Sequence, residues 1–339
     1  MSDRQLLLYF SWSRPGETGA PLVDIDDRFP AIFEMRRLFY PKFEGLSDPA
    51  QVDQGIAGFL DHVQKPNFAA FAELAETLTG RKTVQIERVG DDGVENWLDE
   101  ALIGSADTIV VISFDSFRTD QKAAKKEVEA IKSFLDNPDH VIFVCPHHDI
   151  GDVPDASGEE RQDRQIAEHM HHGDRGIPPR QGFGGFARTL LTGLGVPVDN
   201  RFGLRPAATP DGAPAPVEID HALDVLDLLR GVETFNLHPH LPQLERVDVA
   251  ATRMEVLARQ AVEMAAPPHP FTQDGRSSFD ALLQSRPDTF PGKLLVCDTT
   301  MFSSTAGGVD SLRRLWSNLL RRPRRLSRRP PAHRPRRPT

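Results

Sequence analysis

The sequence predicts an α/β protein, a three-layer sandwich around a mainly parallel sheet of the Rossmann-like or flavodoxin-like type. Two apolar runs, 109–112 (IVVI) and 141–144 (VIFV), lack the alternation of half-solvated strands, as is typical of parallel strands covered on both faces. Between them, apolar residues recur at helical intervals, at Ala124, Val128, Ile131 and Leu135. Such a strand-helix-strand unit is a right-handed parallel crossover, and ligands usually bind at the carboxyl ends of its strands.

Further strands are predicted on either side of this crossover. Residues 5–10 (QLLLYF) form the first apolar run, and 293–297 (KLLVC) form another buried one. Residues 83–89 (TVQIERV) alternate in polarity, which favours a strand at the edge of the sheet.

Helices are predicted from the periodicity of their apolar residues and from the breakers that follow them. Thr119 or Asp120 is expected to cap the crossover helix, and Asn137-Pro138 to end it. A helix over 68–78 stops at Gly80, because glycine adopts the left-handed conformation of a C-cap without steric cost. The remaining predicted helices cover 52–63, 97–102, 186–194, 222–229, 247–265 and 309–319, and one or two helical turns are predicted over 165–172.

Charge is distributed unevenly along the 339 residues. The net charge is −9, and residues 321–339 hold nine arginines and no acid, so residues 1–320 carry −9 − 9 = −18. An acidic body argues against nucleic acid as a partner. The tail favours a structureless terminus, whose place in the native sequence is open, over a basic arm that binds polyanions. We therefore expect one α/β domain over 1–320, with a helical elaboration at 21–80.

The composition is that of an ordinary soluble protein, with 39% hydrophobic and 26% charged residues. No segment approaches the roughly 18 consecutive apolar residues of a membrane span, and a cytoplasmic location is expected. Cys145 and Cys297 each end a predicted buried strand, which favours reduced thiols over a disulfide.

Several segments, in this order, resemble the class I glutamine amidotransferase-like fold. They are ADTIVVISF, TDQKAAKKEVEAIKSFLDNPDHVIFV, FARTLLTGLGVPV, LLRGVETF and GKLLVCDTTMFSSTAGG, followed by SLRRLWSNLL. The resemblance spans residues 80–320 and is greatest to the non-catalytic branch found in gliding-motility transporter auxiliary proteins and GIFT-type domains. It implies a binding or accessory domain for an unknown small molecule or protein partner. Proteins with this fold have different roles, so the resemblance predicts the fold better than the function.

Glutaminase chemistry is not expected. An active amidotransferase places its cysteine on a glycine-flanked strand-to-helix turn, where the next backbone N–H helps to hold the oxyanion. Cys145 is followed by Pro146, which has no N–H to donate, and no G-x-C-x-G surrounds either cysteine.

One cluster of side chains suggests a metal site. Imidazoles and carboxylates are ligands that zinc, iron and manganese accept, and a metal-bound water could attack an ester or a phosphate. The candidate ligands follow the strand 141–144 and lie in the segment after it: His147, His148, Asp149, His169, His171, His172 and Asp174. No H-E-x-x-H signature is present, and a polar loop of locally bonded histidines is the competing interpretation.

Two further segments could contribute to a site. The loop after the strand 293–297 combines an acid with hydroxyls and glycines that could bind an anion, through Asp298, Thr299, Ser303, Ser304, Gly307 and Gly308. The sequence His238-Pro239-His240 could add ligands to the metal cluster, although a proline-restricted turn is the simpler interpretation. The leading expectation is thus a non-glutaminase binding or accessory domain, and the alternative is a metal-dependent hydrolase.

Overall fold

A computed structural model describes residues 4–18, 65–115, 119, 121–149, 157–173, 182–273, 275–304 and 308–323. Its strands, in chain order, are β1 (Leu6–Ser13), β2 (Val84–Val89), β3 (Thr108–Ser113), β4 (Val141–Pro146), β5 (Val198–Asp199), β6 (Gly203–Leu204), β7 (Glu218–Ile219), β8 (Leu241–Pro242), β9 (Glu245–Arg246), β10 (Met254–Ala261), β11 (Ser278–Ser285) and β12 (Lys293–Cys297). Its α-helices are α1 (Arg14–Thr18), α2 (Lys65–Asn67), α3 (Ala69–Thr79), α4 (Glu100–Ile103), α5 (Lys125–Leu135), α6 (Gly158–His172), α7 (Gly185–Gly193), α8 (Ala250–Arg253) and α9 (Val309–Arg321).

An eight-stranded sheet with the order β2-β1-β3-β4-β12-β11-β10-β7 organises the molecule. Its first five strands pair in parallel, and β11, β10 and β7 extend it with antiparallel pairs. With β12 in fifth place, the parallel part has the strand order of a flavodoxin-like doubly wound sheet. The carboxyl ends of β3, β4 and β12 therefore share one edge.

Helices cover both faces of the sheet and make three layers. The side chains of β1 alternate between two cores, with Leu6, Leu8 and Phe10 in one and Leu7 and Tyr9 in the other. The first core receives apolar residues of α3 and α9, and the second receives those of α4, α5 and α7. The predicted fold class is confirmed.

The crossover from β3 through α5 to β4 lies at the centre of the sheet as predicted, and β2 occupies an edge. The predicted cap of α5 is wrong. The helix begins at Lys125, after Ala124, and the Glu127 carboxylate accepts a hydrogen bond of 2.8 Å from the Ala124 N–H. The Glu127 side chain is held in the core by its ion pair with Arg88. Ala124 therefore becomes the N-cap residue, because its N–H lies within hydrogen-bond distance of the Glu127 carboxylate.

The predicted helix over 222–229 is also wrong, because those residues form successive turns, and so is the predicted helix over 247–265. Only Ala250–Arg253 is helical, and Met254–Ala261 forms β10 between β11 and β7. The segment MEVLARQA is rich in helix-favouring residues, but antiparallel pairing on both sides outweighs this weak preference. The sequence patterns predict no strand at the position of its partner β11.

Glu87 on β2 joins three cationic or polar groups from other elements. Its carboxylate accepts hydrogen bonds from Trp12 Nε1 at 2.9 Å and Arg14 Nη2 at 2.7 Å, and it pairs with Lys65. Burial raises the pKa of Glu87, but these partners outweigh burial and lower it from 4.5 to about 2. Glu87 therefore contributes stability above pH 4.5, and this contribution is lost as the pH falls towards 2.

We expect Glu87→Gln to lower the free energy of unfolding at pH 7 by about 1–2 kcal/mol, allowing for solvent screening. The variant should also lose less stability than the wild type when the pH falls through this window. Urea unfolding at a series of pH values measures both effects. Glu95→Gln, at an exposed acid in the same region, is the control. Parallel pH profiles for wild type and Glu87→Gln would contradict the assignment.

None of the helices in the described part of the chain combines the length and apolar character that a bilayer crossing requires. Residues 21–64, most of the predicted N-terminal elaboration, lie outside the described residues, as do residues 324–339 of the tail. Within the described ranges, the chain after α9 is anchored by Arg322, whose buried guanidinium donates to the Asp107 carbonyl at 3.0 Å.

Candidate metal centre

Two strand ends bring His147, His148 and Asp298 together. β4 ends at Pro146 and β12 ends at Cys297, and the two strands are parallel neighbours. Asp298 Oδ2 lies 3.6 Å from His147 Nδ1 and 3.9 Å from His148 Nδ1. These distances exceed those of hydrogen bonds, so the three groups face one another without satisfying one another.

The Asp298 carboxylate is held in one orientation. Its Oδ1 accepts hydrogen bonds from the Thr300 N–H at 2.9 Å and the Thr300 hydroxyl at 2.6 Å. Its Oδ2 has no hydrogen-bond partner among the described residues, although Asp298 is only 3% exposed. The same holds for His148 Nδ1, on a side chain with 2% exposure. Buried polar atoms of this kind are costly unless a ligand satisfies them.

His238 and His240 complete the cluster from a third segment of chain. The Asn236 side chain accepts from the His238 N–H at 3.0 Å and donates to Thr300 Oγ1 at 2.9 Å, which ties this turn to Asp298. The His240 N–H donates to His238 Nδ1 at 3.3 Å, so His238 Nε2 is the nitrogen left for a ligand.

The possible ligand atoms form two overlapping groups. In each group all atoms lie within 4.8 Å of one another: His148, His238 and His240 make one, and His147, His148 and Asp298 make the other. The ring centres of the first group are 5.0, 5.2 and 5.4 Å apart. His147 instead packs closely on His148, with ring centres 3.8 Å apart, and its Nδ1 lies 2.9 Å from Thr299 Oγ1.

The electrostatics favour a cation. Burial, followed by the neighbouring His147, holds the pKa of His148 well below its usual value, and burial, followed by His240, lowers that of His238 to about 3. Burial alone would raise the pKa of Asp298, but the imidazoles of His147 and His148 outweigh it and hold the pKa well below its usual range. At neutral pH, the neutral imidazoles of His148 and His238 therefore lie beside an ionised carboxylate, which is the protonation state that binds metals.

Comparison of the chain with models of known protein families gives no match, and comparison with curated proteins gives none either. The resemblance to the amidotransferase-like fold stays a prediction.

Asp149, predicted as a ligand, is occupied by structural contacts. Its Oδ1 accepts from the Phe183 N–H at 2.7 Å, and its Oδ2 pairs with Arg188 Nη1 at 3.1 Å. The Asp149 N–H donates to the Asn200 carbonyl at 3.2 Å. Asp149 thus fixes the loop that carries His147 and His148 and is not one of the grouped ligand atoms.

The α6 histidines belong to a neighbouring structural network. His171 Nδ1 lies 2.8 Å from the Pro267 carbonyl, and its Nε2 accepts from the Arg205 N–H at 3.1 Å. His172 Nε2 bonds the Gly203 carbonyl, and its ring packs on His240 with centres 4.2 Å apart. His269 lies 3.3 Å from Glu168 in the same network.

Both nitrogens of His171 are thus used by the backbone, as in the competing interpretation of locally bonded histidines. His169 is buried, its Nδ1 has no hydrogen-bond partner among the described residues, and it joins neither ligand group. Asp174 lies outside the described residues.

The predicted anion loop has a different arrangement. Asp298 and Thr299 lie against His147, Thr300 binds the Asp298 carboxylate, and an ionised Asp298 repels an anion. The Ser304 N–H and hydroxyl both bond the Asn67 carbonyl, at 2.9 and 3.3 Å. Ser303 is buried, with its N–H bonded to the Thr300 carbonyl, and Gly308 is the left-handed N-cap of α9. Gly307 lies outside the described residues.

The cysteines lie beneath the site. Cys145 and Cys297 are fully buried, and their sulfur atoms are 3.7 Å apart. Burial, followed by contact with Cys297, raises the pKa of Cys145 well above its usual value. A buried, protonated thiol next to a proline is a poor nucleophile.

Proposed function

We propose that the protein binds one divalent transition metal ion through His148, His238 and His240. The observation that carries this proposal is the convergence of three buried or half-buried imidazoles beside an ionised carboxylate whose Oδ2 has no hydrogen-bond partner among the described residues. Imidazole ligands favour zinc, with iron and manganese as the other candidates.

The ring spacing supports this ligand set. Three imidazole nitrogens arranged tetrahedrally at about 2.0–2.1 Å from zinc place their ring centres about 5 Å apart. The observed separations are 5.0, 5.2 and 5.4 Å. Asp298 then acts on His148 from outside the coordination sphere: it attracts the Nδ1 proton, orients the ring and makes the other nitrogen a better ligand.

The chemistry that best fits this site is hydrolysis. A zinc ion held by His148, His238 and His240 would supply an activated water, whose pKa zinc lowers towards 7. His238 and His240 are half-buried, so part of each side chain is accessible to solvent. A metal held by His148, His238 and His240 would supply the chemistry for hydrolysis of an ester or a phosphate.

The second candidate is a binding or accessory domain without a metal, of the type that the amidotransferase-like resemblance implies. Neither proposal includes glutaminase chemistry, because the buried Cys145 offers no exposed thiolate and the next residue, Pro146, has no N–H. The two proposals differ in what the histidine cluster does: in the accessory domain it would only pack.

Elemental analysis separates the two candidates. We expect protein purified without chelator to hold a stoichiometric amount of zinc, iron or manganese, and His148→Ala to lose it, because His148 belongs to both ligand groups. His221→Ala, at an exposed histidine, is the control and should keep the metal. The same samples, assayed on p-nitrophenyl esters and phosphodiesters, test the hydrolase.

Wild-type protein that binds no metal at millimolar supply would overturn the metal proposal and favour the accessory domain. Metal without metal-dependent hydrolysis of any substrate in the panel would count against the hydrolase alone.

A further inference from the structure

Arg188 lies behind the candidate metal centre and is not one of its ligands. It is on α7, and one nitrogen, Nη1, donates to Asn200 Oδ1 at 2.6 Å, to the Phe183 carbonyl at 2.7 Å and to Asp149 Oδ2 at 3.1 Å. Nη1 carries two hydrogens, which the three acceptor oxygens share. All three oxygens must therefore lie around this one nitrogen. Arg188 thereby joins the start of α7 to the loops after β4 and β5.

Asn200 connects Arg188 to the backbone of the loop that carries His147 and His148. Its Nδ2 donates to the His147 carbonyl and to the Phe183 carbonyl, and its own carbonyl accepts from the Asp149 N–H at 3.2 Å. Asn200 is buried. β4 ends at Pro146, so the pairing of the strand does not hold the backbone of the residues that follow. The bonds from Asn200 hold it instead, together with the hydrogen bond from the His147 N–H to the Ser113 carbonyl at 3.1 Å.

We propose that Arg188, Asn200 and Asp149 form a positioning clamp that holds the backbone on either side of His148 and so sets the orientation of this ligand for metal binding. This inference rests on the proposed metal function. The clamp holds the carbonyl of His147 and the flanking residue Asp149, so the peptide that carries the His148 ring is fixed from both sides. Outer contacts of this kind orient metal ligands, and losing them typically weakens metal binding about 10–100-fold.

A purely structural role would predict a different result. An arginine that only stabilised the fold would change the unfolding midpoint and leave the coordination geometry of the folded protein unaltered. A positioning role predicts a change in the metal's own spectrum. Cobalt(II) is a suitable probe, because it occupies zinc sites and its visible absorption depends on the number and arrangement of the ligands.

We expect Arg188→Met to raise the dissociation constant for Co²⁺ about 10–100-fold and to alter the visible spectrum of the bound ion. Arg188→Lys keeps the charge beside Asp149 but loses the planar fork, and it should recover part of the affinity. The matched control is Arg201→Met, since Arg201 pairs with Asp199 at 3.0 Å close to the same loop. The control should bind Co²⁺ like the wild type.

Wild-type affinity and spectrum in folded Arg188→Met, or an equal loss in Arg201→Met, would overturn the clamp. If Arg188→Met fails to fold, Arg188→Lys decides: a weaker site with an altered spectrum supports the clamp, and wild-type behaviour refutes it. Failure of the wild-type protein to bind Co²⁺ would instead overturn the metal function on which the clamp rests.

Discussion

Replacing Arg88 with methionine is expected to lower the free energy of unfolding by about 3–5 kcal/mol, the typical result of removing one partner from a buried ion pair. The Arg88 guanidinium donates to Gln121 Oε1 at 3.0 Å, to the Tyr9 hydroxyl at 3.2 Å and to the Lys122 carbonyl at 3.1 Å. It also pairs with Glu127, and the two side chains are 4% and 0% exposed.

The cost arises from the partner that remains. Glu127 also accepts hydrogen bonds from the Leu98 N–H at 2.9 Å and the Ala124 N–H at 2.8 Å, so it cannot move out to solvent without breaking both. Without Arg88 it becomes an unpaired buried charge at the start of α5. A buried carboxylate in that position must either take up a proton or open the helix start.

Chemical denaturation of three variants tests this account. Arg88→Met should be strongly destabilised, whereas Arg88→Met combined with Glu127→Leu should recover part of the loss, because it leaves no unpaired charge. Glu129→Gln is the control on the same helix. It breaks the exposed pair with Lys125 and should change stability by less than about 0.5 kcal/mol. If Arg88→Met lowered the free energy of unfolding no more than Glu129→Gln does, the buried ion pair would contribute little to stability.

The parallel half of the fold could be predicted because its strands have local signatures. Runs such as IVVI and VIFV are apolar on both faces, and the helix between them keeps a 3.6-residue period, so each element is specified by its own residues. The antiparallel extension lacks this property. MEVLARQA becomes β10 because β11 and β7 pair with it, and pairing between distant segments leaves no trace in local periodicity.

The candidate site divides in the same way. His147 and His148 could be singled out because they directly follow a recognisable strand. Asp298 follows another, but its hydroxyl-rich loop indicated an anion site, and only the parallel pairing of β4 with β12 places its carboxylate against the imidazoles. His238 and His240 lie on a proline-containing turn. The hydrogen bond between Asn236 and Thr300 sets the position of this turn, and no pattern in the sequence predicts that contact.

The two overlapping ligand groups make opposite predictions for His238 and Asp298. If the metal is bound by His148, His238 and His240, His238→Ala removes a direct ligand and should weaken Zn²⁺ binding by more than about 100-fold, beyond the range of outer-sphere changes. Asp298→Asn should then weaken binding only about 10–100-fold, because it alters the partner of His148 while the ligands stay in place.

Asparagine is the informative replacement because its oxygen can keep the two hydrogen bonds from Thr300 while the negative charge beside His148 is lost. Competition titrations with a chromophoric chelator give the Zn²⁺ affinities, and circular dichroism shows whether each variant is folded. His221→Ala serves again as the histidine control.

The reverse order of effects would reassign the metal. Abolished binding in Asp298→Asn, with wild-type affinity in His238→Ala, would place the ion between His147, His148 and Asp298. That site has one negative ligand, and His147 would bind the metal through Nδ1 only by giving up the contact of that atom with Thr299 Oγ1. In the three-histidine site, His238 Nε2 has no hydrogen-bond partner among the described residues, and the ring centres have the spacing of a tetrahedral centre.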